Sequence, residues 1–215
     1  MKKFILLFLL LLIFSSHVNA QEESSNSNLV WGVRLGMNWT TIKSDFDEGL
    51  DPRTSGVIGL FTRHKLNNSF FIQPEINYVL KGASSQLPAE FIVSDYKLSF
   101  DYFEIPVLLK YNFGSELNDR FKPDIFLGPF LAFKLSSSLE ATDIPNSDVT
   151  IDDVKSTDFG IVFGTGMGFK VEFIDILLEL RYTMSLSSFD SNIAQPDLRN
   201  GKFRVFTITT GFVIN

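Results

Sequence analysis

The sequence predicts an all-β protein, an eight-stranded antiparallel up-and-down transmembrane β-barrel, on three observations. Long segments alternate apolar with polar residues at period two, the spacing at which a strand sends successive side chains to opposite faces. These segments number eight, an even count. The connections after the first, third, fifth and seventh are long and the others shorter, the asymmetry of a barrel with short periplasmic turns and long outside loops. The stretch from Phe103 to Phe113 shows the alternation most clearly. Phe103, Ile105, Val107, Leu109, Tyr111 and Phe113 share one face, and Glu104, Pro106, Leu108, Lys110 and Asn112 the other. A soluble sheet buries its apolar face on a second layer, whereas a membrane barrel turns it to lipid and keeps the charges inside. Backbone in lipid must be hydrogen-bonded within the protein, so the sheet is expected to close.

The first twenty residues read as a secretory signal. Lys2 and Lys3 precede the apolar run Phe4 to Phe14, and Val18-Asn19-Ala20 offers a cleavage site. That run is short of the roughly 20 apolar residues a spanning helix needs. Gln21 to Asn28 is a polar, flexible leader on the periplasmic side, and residues 29–215 form the barrel domain.

The first strand is expected from Leu29 to Thr40. Trp31, Val33, Leu35, Met37 and Trp39 share its apolar face, opposite Gly32, Arg34, Gly36 and Asn38. The two tryptophans lie about 20 Å apart along the axis, given about 3.3 Å per residue and a tilt near 40°. That approaches the height of the apolar band whose borders carry aromatic girdles. The second strand, Ser55 to Leu66, is ambiguous in facing, because Val57, Gly59 and Phe61 compete with Ile58 and Leu60. The third, Phe70 to Gly82, sets Gln73, Glu75 and Asn77 against Ile72, Ile76, Tyr78 and Leu80. The fourth begins near Tyr96 and contains the 103–113 stretch, and the fifth runs from Asp124 to Glu140. The sixth, Asp158 to Glu172, alternates Phe159, Ile161, Phe163, Met167 and Phe169 with Gly160, Gly164, Gly166 and Gly168. Glycines at period two relieve crowding inside a barrel; they are not a phosphate loop. Phe173-Ile174-Asp175 reads as a tight turn into the seventh strand, Ile176 to Ser187. The eighth runs from Phe203 to the C-terminus. Both termini are then periplasmic.

Several segments resemble the PorT-like outer-membrane β-barrel domain family, common in Bacteroidetes. They are Gly32 to Asn38 (GVRLGMN), Ile72 to Ile76 (IQPEI), Phe103 to Lys110 (FEIPVLLK), Gly128-Pro129 and Glu179 to Tyr182 (ELRY). The resemblance spans nearly all of the chain after the signal. It implies an eight-stranded barrel in the outer membrane and no activity, because barrel likeness is not functional likeness.

Composition bounds the function. The chain has 215 residues, no cysteine and a formal net charge of −6. Removing residues 1–20 takes away two lysines and no acid, leaving 17 basic and 25 acidic residues, a charge of −8. With no basic block, nucleic acid is not an expected partner. The absence of cysteine excludes disulfides, thiolate metal sites and a lipid-modified Cys. The informative polar set is the charges expected inside: Arg34, Glu75, Glu104, Lys110, Lys170, Glu179 and Arg181. An eight-stranded interior is just wide enough for side chains to fill, and enclosed charges must be paired. The favoured reading is a salt-bridged plug, and the other is a narrow polar conduit or proton path. His64, near a strand end, has no Ser or acid motif beside it, so no catalytic residue is expected and no enzyme activity. Asp143, Asp148, Asp152 and Asp153 lack the spacing of a calcium loop and read as a solvated acidic loop, and no metal or cofactor is expected. The expected role is structural, adhesive or as an assembly partner through outside loops, with outer-membrane lipid as surroundings. Two alternatives stand: a secreted lipocalin-like barrel with its apolar faces inward around an apolar ligand, and an outer-membrane barrel enzyme.

Overall fold

The computed structural model describes residues 29–43, 51–86, 95–113, 121–141, 149–150, 156–171, 174–188 and 201–214. The expected signal segment, the leader and the acidic positions Asp143, Asp148, Asp152 and Asp153 lie outside these residues. Nine strands follow in order: β1 (Leu29–Lys43), β2 (Asp51–Lys65), β3 (Phe70–Gln86), β4 (Asp95–Asn112), β5 (Phe121–Ala141), β6 (Val149–Thr150), β7 (Thr157–Val171), β8 (Ile174–Ser185) and β9 (Lys202–Ile214). The two-residue β6 pairs only with β5. The other eight form one antiparallel meander in which β4 pairs with β5 and β1 with β9. The sheet is therefore a closed eight-stranded barrel with no free edge.

Orientation separates the two barrel readings. Leu109 is 49% exposed on the outer wall, while its neighbour Lys110 is 1% exposed in the lumen. Trp31, Val33, Leu35 and Met37 also face out, and Arg34 and Asn38 face in. The apolar face is outward throughout, which overturns the lipocalin-like alternative. The facing of β2 resolves as well. Val57 and Phe61 point inward and Ile58 and Leu60 outward, because Phe61 packs in the lumen against Leu177 and Val213.

Strand ends differ from the sequence reading. β1, β2 and β3 extend further toward the end opposite the chain termini, whereas β5 gains three residues at the terminal end and one at the other, and β8 shifts two residues toward the terminal end. β5 reaches 21 residues, well beyond the roughly 9–11 a tilted strand needs to span a bilayer. The extra pairing consumes residues expected in loops. The connection after β1 shrinks to residues 44–50, no longer than the one after β4. The tight turn expected at Phe173-Ile174-Asp175 also differs: Val171 pairs directly with Ile174, so Ile174 and Asp175 belong to β8, and Phe173 lies outside the described residues. We call the end with residues 44–50, 87–94, 142–156 and 186–201 the long-loop end.

Rings mark the borders of the outer wall. Near the termini, Phe70, Tyr111 and Phe113 stack in sequence with centroids 5.0 Å apart at each step, and Phe121 meets Phe169 at 5.6 Å. Toward the long-loop end, Trp39 meets Phe206 at 5.8 Å. On β3 to β5 the border is polar. The Tyr78 hydroxyl and Ser136 Oγ both donate to Asp101 Oδ2, at 2.9 and 2.8 Å.

Leu109 lies on the apolar wall one outward position inside the border at Tyr111, so Leu109→Arg is expected to cost folding stability in lipid vesicles between the about 0–1 kcal/mol of the interface and the about 2–4 kcal/mol of the midplane. Reversible unfolding in vesicles measures this, and a change within experimental scatter would mean that Leu109 does not contact hydrocarbon.

Candidate functional site: the charged lumen

The interior polar residues arise from simple parity. In β3, Gln73, Glu75, Asn77 and Lys81 share the inner face, and in β8 Glu179 and Arg181 do. The barrel brings them together from strands far apart in sequence.

A first cluster holds six charges of balanced sign: Arg34, Lys110 and Arg181 with Glu75, Asp124 and Glu179. Arg34 forks between Glu75 and Glu179. Arg181 Nη1 donates to Glu75 Oε2 and Nη2 to Glu75 Oε1, both at 2.9 Å, and its Nε reaches Glu179 Oε2 at 3.1 Å. Lys110 Nζ lies 2.5 Å from Glu179 Oε1 and 3.1 Å from Asp124 Oδ1. Gln73 and Asn77 donate to the Glu75 carboxylate at 2.7 and 3.0 Å. Thr209 accepts from Arg34 at 3.2 Å. All six charged residues are buried. Each of the six is ion-paired, as charges removed from water require, while Arg34 Nε and Asp124 Oδ1 have no hydrogen-bond partner.

A second cluster lies nearer the long-loop end. Lys81 Nζ sits 3.1 Å from both Glu104 Oε2 and Asp158 Oδ2. Ser185 Oγ donates to Asp158 Oδ2 at 2.8 Å and Ser187 Oγ to Oδ1 at 2.5 Å. Lys81 also lies over Tyr102, Phe130 and Phe203, 4.9, 5.0 and 5.6 Å from the ring centroids.

Glycines make room for the rings that cover these cations. A Cβ on Gly164 would stand 2.6 Å from Phe126 Cζ, and Phe126 lies under both Lys110 and Arg181, at 4.9 and 5.1 Å. A Cβ on Gly160 would stand 2.8 Å from Phe130 Cε1, under Lys81. Gly32 stands in the same relation to Phe61, whose ring faces Arg34 at 6.0 Å. Each unit is a glycine on one strand, a ring from another, and a cation over that ring, an attraction of about 0.5–2 kcal/mol.

The sequence expectation therefore meets a mixed outcome. Arg34, Glu75, Glu179, Arg181 and Lys110 converge in one cluster, and Glu104 enters the other. Lys110 pairs with Asp124 and Glu179. Lys170 joins neither cluster. It is exposed near the end of β7, where the barrel opens and water screens it. Lys81, Asp124 and Asp158 were missed. Lys81 continues the parity of Gln73, Glu75 and Asn77 and was legible. Asp124 and Asp158 stand at the expected first residues of the fifth and sixth strands, where parity alone does not signal burial. His64 is exposed near the end of β2.

The lumen leaves little free space. A cavity of about 20 Å³ lies between the clusters, lined by Arg34, Asn77, Lys81, Glu104 and Arg181 among others; a single water needs roughly 10–15 Å³. A second cavity, about 70 Å³, lies among Arg63, Lys122, Asp124 and Lys170 at the terminal end. Among the described residues no group of three or more His, Cys, Asp or Glu is arranged to hold a metal.

A lipid-facing apolar wall around a charged, filled lumen is the geometry of an outer-membrane barrel. The sequence model of the outer membrane protein beta-barrel domain matches residues 19–191. The chain belongs to this family. Among solved structures it is similar to Neisserial surface protein A at 15% identity, over 89% of this chain and 99% of that one, with a TM-score of 0.49. It is similar to OprG of Pseudomonas aeruginosa at 14% identity, over 86% and 94% of the two chains, TM-score 0.49. It is also similar to Ail, the attachment invasion locus protein of Yersinia pestis, at 12% identity, over 86% and 98%, TM-score 0.44. No curated protein sequence matches the chain. As an outer-membrane barrel it resides in the outer membrane, surrounded by lipid.

Lys110→Met strands the Asp124 carboxylate in the lumen and removes one of the three cations around Glu179. Removing one partner of a buried pair typically costs about 3–5 kcal/mol, and a loss of that size is expected on unfolding in vesicles. A loss within about 0.5 kcal/mol, the range for an ordinary surface change, would show Lys110 solvated.

Proposed function

We propose that this barrel is a sealed anchor that displays its long-loop end outside the cell, in a structural, adhesive or assembly-partner role, with both chain termini in the periplasm. The observation that carries the reading is the balanced six-charge cluster spanning the lumen from Arg34 to Asp124. A lumen closed by mutually paired charges stiffens the wall and leaves no conduit between the barrel ends, so binding is assigned to the loops. The resemblance of the 103–110 and 179–182 segments to PorT-like barrels supports placement in that branch of the family and supplies no activity. We also assign residues 1–20 as a cleaved secretory signal, on the Lys2-Lys3 end, the apolar run and the Ala20 site.

Two experiments test the reading. In planar bilayers the purified barrel is expected to give no conductance steps; regular steps abolished by restoring low pH or salt alone are not anticipated, and any stable ohmic step in wild type overturns the sealed lumen. For topology, a short tag between Ser147 and Thr150 is expected to be labelled on intact cells, and one between Asn67 and Ser69 only after lysis. Labelling in the opposite sense would place the long-loop end in the periplasm.

A further inference from the structure

We infer that the outer wall of β1 and β9 at the long-loop end is a binding site for the phosphate headgroup of a membrane lipid, formed by Lys43, Lys202 and Arg204. The three side chains lie on the outward face of two adjacent strands. Lys43 and Lys202 are directly opposite in register, and Arg204 pairs with Thr41, one step closer to the membrane centre. Two like charges directly opposite on one sheet face repel. Neither lysine has an acid partner among the described residues, and the other outward residues at this level are Trp39 and Thr41 of β1, Phe206 of β9, Met184 of β8 and Leu186 just past its end. An anion seated between the lysines removes the repulsion.

Arg204 is already oriented for that role. Its Nη1 donates to the carbonyls of Ser185 at 2.8 Å and Phe203 at 3.0 Å. These bonds hold the guanidinium against the wall and leave the Nε and Nη2 donors for a ligand. A held guanidinium fork suits phosphate, and flexible lysines supply point charges beside it.

The height on the barrel identifies the phosphate as a lipid's. The Trp39–Phe206 ring pair lies just below the cations, with ring centroids 5.8 Å apart, and such aromatic pairs mark the interface of a barrel's apolar band. A cation one or two outward positions beyond that border stands at headgroup level. The opposite rim differs. Its outward positions carry Trp31, Phe70, Tyr111, Phe113, Phe121 and Phe169, with no outward Lys or Arg among the described residues. The chain as a whole is acidic, at −6, so its overall field repels anionic lipid. A preference for such lipid must therefore come from a local site.

Trp39 reports on the site directly. With Trp31→Phe it is the sole tryptophan, and the full chain can be reconstituted in phosphatidylcholine vesicles. Brominated phosphatidic acid is compared with brominated phosphatidylcholine as quencher at equal mole fraction. Phosphatidic acid is expected to associate with the Trp39 surface at least about fivefold more strongly, since a basic side chain near an anionic lipid surface contributes about a factor of five. Adding Lys43→Gln, Lys202→Gln and Arg204→Gln together is expected to bring the two lipids to parity. Trp31, read alone after Trp39→Phe, is expected to show parity in otherwise wild-type protein. If the triple variant does not insert, Lys43→Gln with Lys202→Gln, at strand-end residues, is expected to lower the preference in the same direction. Equal quenching at Trp39 in wild type overturns the inference, and so does a preference that survives loss of the cations.

Discussion

Backbone hydrogen bonding in a medium without water is the constraint from which the rest of this structure follows. An N–H or C=O left unpaired in hydrocarbon costs several kcal/mol, so a sheet that enters a bilayer has to close. Closure here is the pairing of β1 with β9, from Trp31 with Ile214 to Lys43 with Lys202. Once eight strands close, the interior is only wide enough for side chains. Alternation then has one acceptable sense, with the apolar face against lipid. Every inward polar group must find its partner across the lumen, from another strand.

The lumen is ordered along its axis. Phe61, Leu177 and Val213, with Val30 beside them, close the terminal end. The six-charge cluster follows, then Lys81 with its two carboxylates. A second apolar group, including Phe100, Phe130, Val162, Phe203 and Val205, lies toward the long-loop end. The ion pairs are thus enclosed by apolar layers, where low polarity strengthens each pair and raises the cost of an unpaired charge. The inward glycines have their reason here. Leu or Val at residue 160 or 164 would collide with Phe130 or Phe126, and those rings cover the cations.

Much of this was legible at period two. The strand count, the two faces of β4 and the inward placement of Arg34, Glu75, Glu104, Lys110, Glu179 and Arg181 follow from parity alone. Parity fails where both faces are apolar. Nothing local to β2 distinguishes Phe61 from Leu60; Phe61 turns inward because Gly32 and Gly211, on the neighbouring β1 and on β9, leave a space for its ring. It also fails at strand ends. Lys170 has inward parity but lies where the wall opens. Asp124 and Asp158 have inward parity and partners deep enough to matter, although each looked like a strand's first residue. Partner choice was not legible at all. Lys110 meets Glu179 and Asp124 because of how strands separated by more than ten residues stack around the lumen, which is set by closure and not by any local pattern.

A charged lumen also fixes what an apolar lumen would leave open. A one-residue slip of a strand moves its whole inner face outward. If the inner face were apolar, both registers would place apolar side chains against lipid, and the two would differ little. In β8 the slip would carry Glu179 and Arg181 into hydrocarbon. There a basic residue costs about 2–4 kcal/mol near the midplane, and Glu75, Arg34 and Lys110 would each lose one of their partners as well. The same holds for Arg34 in β1, Glu75 in β3 and Lys110 in β4. With Asp124 in β5 and Asp158 in β7, six of the eight barrel strands are thus held to their register by the buried charges they contribute. Buried ion pairs add little net stability over a well-packed apolar core, but they make the slipped alternatives costly.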